Sequence, residues 1–246
     1  MAIVVFCIGL VVGSFLSVAY SRYSPSQSFF AYLIAISVPR SSCPNCHQPL
    51  SAWQLIPLVS WFILRRRCYF CQHKIAFYYP FMELTIAVLF LLIYLDRGLN
   101  FESGLLMLLI VWFWILAQID FRYFLLPDFF TQPLMWGGVI MSYLNLNSLT
   151  IADSLMGIFC GYLMLKLPAV GYFCLTKRVG LGGGDIKLAA ALGAWLPYQS
   201  MPILLIMASL LGILYIILTK CRTRKHIAFG PFLLISGYLI IYQSRL

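Results

Sequence analysis

Apolar runs of bilayer-crossing length recur along almost the whole chain, and this feature constrains the fold more than any other. They fall roughly at 3–20, 80–95, 103–119, 129–146, 151–173, 200–219 and 227–243, with a shorter piece at about 186–197. About 17–25 such residues span a membrane as a helix, because hydrocarbon offers backbone polar groups no partner outside their own segment. Of the 246 residues, 62% are hydrophobic and 10% are charged, which excludes an ordinary soluble domain. The reading is an all-α polytopic membrane protein with about eight transmembrane helices. The first run has the length of a signal peptide, but "MAIVVF" lacks a basic n-region, so a retained helix is expected.

The basic residues set the orientation. Arg22, Arg40, Arg65, Arg66, Arg67 and Lys74 lie between the first two runs. Arg122 follows the third, Lys177, Arg178 and Lys187 flank a glycine cluster, and Lys220, Arg222, Arg224 and Lys225 follow the seventh. The alternate loops hold only Arg97. The positive-inside rule therefore predicts both termini outside and residues 21–79 in the cytoplasm. Lys166, inside a nominal span, is expected to snorkel. Topology and anionic lipid account for the net charge of +10, so no nucleic-acid partner is needed.

Residues 1–20 thus form a first transmembrane helix, 21–79 a cytoplasmic insertion between helices 1 and 2, and 80–246 the remaining membrane domain. The insertion carries Cys43, Cys46, Cys68 and Cys71 in a C-x2-C-x21-C-x2-C pattern. Two such knuckles supply four thiolates for a tetrahedral Zn2+ site of zinc-ribbon type, a staple that a small domain with little core needs. A redox CxxC pair, making the protein a membrane thiol oxidoreductase, is the competing reading, although cytoplasmic thiols stay reduced. His47 and His73 read as bystanders, and Cys7, Cys160, Cys174 and Cys221 as packing residues.

Only seven acids occur. Asp96, Glu102 and Asp153 fall on the outer side, where solvation accounts for them. Glu83, Asp120, Asp128 and Asp185 all fall at cytoplasmic helix ends, where bases are expected, and acids at a membrane boundary are functional candidates. Asp128 and Asp185 each precede an apolar helix and have an alternative role as N-caps. Glu83 is expected to pair with a basic residue. Asp120 ends the third run, where a helix C-terminus disfavours a carboxylate, so capping does not explain it.

"GLGGGDIKL" is neither a Walker loop nor a dinucleotide fingerprint. Its glycines offer backbone freedom and close approach beside Asp185. Two carboxylates brought together share a proton; one then acts as base toward water and the other as acid toward a carbonyl, which is aspartic-protease chemistry.

In their joint order, "GSFLSV" (Gly13–Val18), the paired knuckles, "IPLVSW" (Ile56–Trp61), "YPFMEL" (Tyr79–Leu84), "IDFRYFLLPD" (Ile119–Asp128), "GLGGGDIKLAAALGAW" (Gly180–Trp195) and "FGPFLLISG" (Phe229–Gly237) resemble the bacterial type IV prepilin peptidases. The resemblance covers most of the chain. It implies an inner-membrane enzyme that removes the basic leader of type IV prepilins or pseudopilins after a glycine, at the cytoplasmic face. It also implies N-methylation of the new terminus with S-adenosylmethionine. Asp120 and Asp185 match the family's catalytic aspartates, Asp128, Gly182, Gly184 and Lys187 its supporting positions, and the four cysteines its zinc pattern. Ser17 departs from an asparagine, Arg66 from a glycine, and "TKRVG" lacks an acid that commonly precedes the glycine motif.

Overall fold

The computed structural model describes residues 1–219 and 227–244, all-helical apart from two isolated antiparallel bridges. The cluster of basic residues Lys220, Arg222, Arg224 and Lys225, and with it Cys221, lies outside the described residues. The chain forms two compact units, residues 1–111 and 112–246.

The first unit is built on α1 (Ala2–Ser21) and α4 (Tyr78–Arg97), with the short α2 (Phe29–Ser37) and α3 (Val59–Ile63) between them in sequence. Helices in lipid gain little from burying apolar surface against each other, so small residues that permit close backbone approach decide where they meet. A Cβ on Gly9 would lie 2.6 Å from the Ala87 Cα, and one on Gly13 would lie 2.7 Å from the Glu83 Cα. Ser28 caps α2 by accepting the Ala31 N–H at 3.3 Å, and the Arg22 guanidinium reaches the Ala35 carbonyl near its other end at 2.9 Å. Helix α4 ends at Gly98, whose φ of +74° is one that side chains rarely adopt.

Helix α5 (Phe101–Tyr123) leads into the second unit, which holds α6 (Asp128–Tyr143), α7 (Ile151–Thr176), α8 (Gly183–Gly193), α9 (Met201–Thr219) and α10 (Gly230–Gln243). Helix α8 and the residues that follow it are its centre: Leu188, Ala189, Ala191 and Leu192 of the helix, and Ala194 and Leu196 after it, are all essentially sealed from solvent. The same small-residue device seats it. A Cβ on Gly157 would meet the Gly193 carbonyl oxygen at 2.1 Å, and one on Gly161 the Ala189 oxygen at 2.5 Å. Ser154 Oγ donates to the Ala194 carbonyl and Trp195 Nε1 to the Leu134 carbonyl, pinning the end of α8 to α7 and α6.

Eight helices coincide with the eight apolar runs, but five of them, α1, α4, α5, α7 and the stretch Tyr198–Thr219, are long and apolar enough to cross a membrane. Helices α6, α8 and α10 have 16, 11 and 14 residues. Packing inside the second unit, rather than bilayer thickness, sets the length of α8.

Candidate active site

Asp120 lies one turn before the end of α5 and is 4% exposed. Its Oδ2 accepts the Gly230 N–H at 3.0 Å. Gly230 is the first residue of α10, so a carboxylate that its own helix end disfavours is set against the amino end of another helix. Unpaired N–H groups and the local dipole favour an anion there. A Cβ on Gly230 would lie 2.5 Å from that same oxygen, so only glycine leaves room for the contact.

Asp185 is the third residue of α8 and is half-buried. The N-cap position belongs to Gly182, which has no side chain to cap with. Asp185 folds back toward it: a Cβ on Gly182 would lie 3.2 Å from Asp185 Oδ2. The Asp120 carboxylate is within electrostatic reach of Asp185, so the end of α5 and the start of α8 bring the two acids together. Leu126 forms the apolar floor beneath both helix starts, at 3.2 Å from a Cβ on Gly184 and 3.4 Å from one on Gly230. Of the two uses expected of the glycine cluster, close approach is the one taken. Gly180 abuts the Tyr172 ring, and among the described residues Gly98 alone of the glycines has positive φ.

Asp128 and Glu83, the other two acids singled out in the sequence, are placed elsewhere. Asp128 is not the N-cap, which is Pro127, but the first residue of α6. Both its oxygens accept from Lys187 Nζ, at 2.7 and 2.9 Å. The pair is half-exposed and ties the start of α6 to the first turns of α8. Glu83, expected to pair with a base, instead accepts the Leu58 N–H at 2.7 Å and a hydrogen bond from Ser14, within the first unit. The reason is local: Leu58 sits at φ +58°, a turn before α3 that aims its N–H at the carboxylate. Asp96, Glu102 and Asp153, for which solvation alone was expected, have partners. Glu102 and Asp96 pair with Arg97, and Asp153 accepts the Thr150 hydroxyl at the start of α7.

The four knuckle cysteines offer sulfurs within 4.8 Å of one another. Cys43 and Cys71 Sγ are 3.8 Å apart, which matches the edge of a tetrahedron with Zn–S bonds of about 2.3 Å (an edge of about 3.8 Å) and is far too long for a disulfide. The two knuckles repeat one design. Cys43 N–H donates to the Gln48 carbonyl and Cys68 N–H to that of His73, while His47 and Gln72, four residues after those cysteines, both take φ +57°. The His73 N–H and the Asn45 amide, donating to Cys71 Sγ, lower its thiol to about 6, so that it is ready to ligate as thiolate. His47 and His73 contribute backbone rather than ring nitrogens to these contacts. Arg66, where the resembled family often has glycine, has φ +64° and stacks its guanidinium 4.8 Å from the Trp61 ring centre. Cys7 and Cys174, expected as packing residues, are exposed; the outward face of a membrane helix is itself apolar and needs no core to hold a thiol.

Sequence reasoning missed Gly230, Leu126, and the Leu58 and Ser14 donors to Glu83. "FGPF" carried the signal for Gly230, as a glycine before a helix-starting proline.

Residues 7–97 match the Bacterial Peptidase A24 N-terminal domain, and residues 107–217 match the Type IV leader peptidase family. The chain is 36% identical, over 96% of its length and 89% of the relative's, to a Prepilin leader peptidase/N-methyltransferase of Aeromonas salmonicida. It is likewise 36% identical to one of Neisseria gonorrhoeae, covering 95% of this chain and 87% of that protein. A Type 4 prepilin-like proteins leader peptide-processing enzyme of Escherichia coli is 35% identical, over 97% and 92%. No solved structure matches. With two aspartates drawn together in one unit and a four-cysteine cluster in the other, the chain belongs to the type IV leader peptidase family, a family of aspartic peptidases.

Proposed function

We propose that the protein is a prepilin peptidase that cleaves the basic leader of type IV prepilins or pseudopilins after a glycine, using Asp120 and Asp185. The observation that carries this reading is the convergence of the two acids from α5 and α8, with Asp120 held by the Gly230 N–H. One carboxylate of the pair takes a proton from water, whose oxygen attacks the scissile carbonyl carbon. The other, protonated, donates to the carbonyl oxygen. Collapse of the tetrahedral intermediate breaks the C–N bond, and the leaving amine takes a proton from the pair. The titration belongs to the pair, not to either residue. Asp128, Gly182, Gly184 and Lys187 act in support. A cleft of about 390 Å³ beside Lys187, lined by apolar residues such as Met135, Leu155 and Phe159, suits the apolar segment that follows a prepilin leader.

On this reading the eight helices lie in the inner membrane in contact with lipid, residues 80–246 form the peptidase domain, and both termini are outside. Residues 21–79 form a cytoplasmic insertion closed by structural Zn2+ on Cys43, Cys46, Cys68 and Cys71. The protein also methylates the new N-terminus, S-adenosylmethionine supplying the methyl group when bound. The decisive test is cleavage of a prepilin by purified protein in detergent. Asp120→Asn and Asp185→Asn each abolish the mature product while insertion and zinc content stay unchanged. Normal cleavage by either variant rejects the dyad.

A further inference from the structure

The insertion carries more positive charge than its own fold can use. Residues 21–79 hold six basic residues, Arg22, Arg40, Arg65, Arg66, Arg67 and Lys74, and no acid. Four thiolates closing on Zn2+ would return two negative charges, so most of the excess stays uncompensated. Three of the six stand consecutively at the turn after α3, all exposed, and no ion pair to them occurs among the described residues. Arg65 and Arg66 sit at φ +48° and +64°, a left-handed backbone that disfavours a side chain and suits glycine. Arg66 rests against the Trp61 ring, a cation–π contact that leaves its N–H donors unused. Cations placed at that backbone cost point to an anionic partner.

A second observation, independent of the charges, says what kind of anion. From its N-cap Phe77, α4 carries one exposed apolar stripe at helical spacing: Phe77, Phe81, Leu84, Val88, Leu92 and Leu95. In a helix long and apolar enough to cross a membrane, such a face is the one left to lipid. The stripe does not stop where α4 begins. The rings of Phe81 and Phe77 lie 6.3 Å apart, those of Phe77 and Trp61 5.9 Å, and those of Trp61 and Phe62 5.2 Å. These contacts carry α3 onto the head of the stripe, with Phe62 67% and Ile63 64% exposed. An exposed apolar pair continuous with a lipid-facing stripe, and followed at once by three arginines, matches an element lying in the membrane interface. Its apolar side chains suit the acyl boundary and its guanidiniums the phosphates.

We propose that α3 and the arginine turn 65–67 dock the insertion on the bilayer surface, Phe62 and Ile63 entering the acyl boundary while the guanidiniums bind the phosphates of anionic phospholipids. This goes beyond the peptidase reading and rests only on α4 crossing a membrane. Docking holds the knuckle that begins at Cys68 against the leaflet and makes its seating depend on lipid charge.

Hydrogen exchange of the full-length protein in nanodiscs tests it, read by mass spectrometry on peptides covering residues 59–67. The amides of Phe62, Leu64 and Arg66 are bonded only to carbonyls close by in the chain, so docking is what slows their exchange. Exchange should slow about tenfold or more in phosphatidylglycerol discs relative to phosphatidylcholine discs, each arginine favouring the docked state roughly fivefold. The difference should shrink in about 0.5 M salt. Rates within about twofold between the two lipids overturn the proposal. The combined variant Arg65→Asn, Arg66→Gly, Arg67→Gln carries residues that suit the turn and should lose the difference while keeping its zinc. A zinc-loaded variant that keeps the difference also overturns it. Should the variant lose zinc, the lipid and salt series on the wild-type chain decides by the same limits. Equal slowing by inorganic phosphate in detergent would assign the arginines to a free anion. Slowing that follows protein concentration rather than lipid charge would assign the face to a second copy. Either result overturns the proposal.

Discussion

Gly230→Ala separates the proposed dyad from a mere cluster of membrane-boundary acids. An alanine Cβ would lie 2.5 Å from Asp120 Oδ2 and 3.1 Å from its Cγ, where real Cβ contacts essentially never fall below 3.0 Å. The carboxylate or the start of α10 must therefore give by at least the difference, about 0.5 Å. The lost N–H contact to a charged acceptor costs about 1.5–3 kcal/mol, and a misplacement of about 1 Å costs roughly a hundredfold in rate. Taken together, kcat/KM for prepilin cleavage should fall by roughly 10- to 100-fold or more. Leu126, the next neighbour at 3.4 Å, leaves little slack for the helix start to retreat. The assay is cleavage of a purified prepilin, followed by product mass. Gly171→Ala in α7, where nothing lies within 4 Å of an added Cβ, is the control for a helical glycine and should cleave normally. Cleavage by Gly230→Ala within about twofold of wild type would refute the idea that the amino end of α10 positions Asp120.

Three further perturbations address other parts of the molecule. Gly157→Ala puts a Cβ 2.1 Å from the Gly193 oxygen and must prise α7 from α8; it should destabilise the protein by about 1–3 kcal/mol or more, read as a fall in melting temperature in detergent. Cys43→Ser should reduce the metal found by mass spectrometry from about one zinc per chain and destabilise the first unit, whereas a redox pair would show reversible thiol oxidation without metal. Asp128→Asn breaks a half-exposed ion pair and should lower stability by no more than about 1 kcal/mol; a large drop in melting temperature would give the Lys187 contact a greater structural weight than its exposure permits.

The long helices were legible because the bilayer leaves a chain few choices: an apolar run must satisfy its own backbone, so its length announces it. Helices α6 and α8 obey a different constraint. Their lengths follow from glycine-mediated contacts with neighbours far away in sequence, such as Gly157 with Gly193, and no local period records those contacts. The acids show the same division. Asp120 and Asp185 stood out because charge is scarce here and because a carboxylate at a helix C-terminus is electrostatically misplaced. Glu83 stood out too, but its partner could not be guessed, since a backbone N–H turned by an unusual φ at Leu58 leaves no mark on composition. The misplacement of Asp120 also contained more than it disclosed. A helix end that repels a carboxylate keeps one only if something else attracts it. The attracting group is the amino end of α10, supplied 110 residues later by a glycine that alone can approach so closely. An acid that looks wrong for its own helix is therefore a pointer to a second helix end. In this chain "FGPF", the one glycine–proline helix start among the quoted motifs, is where that pointer leads.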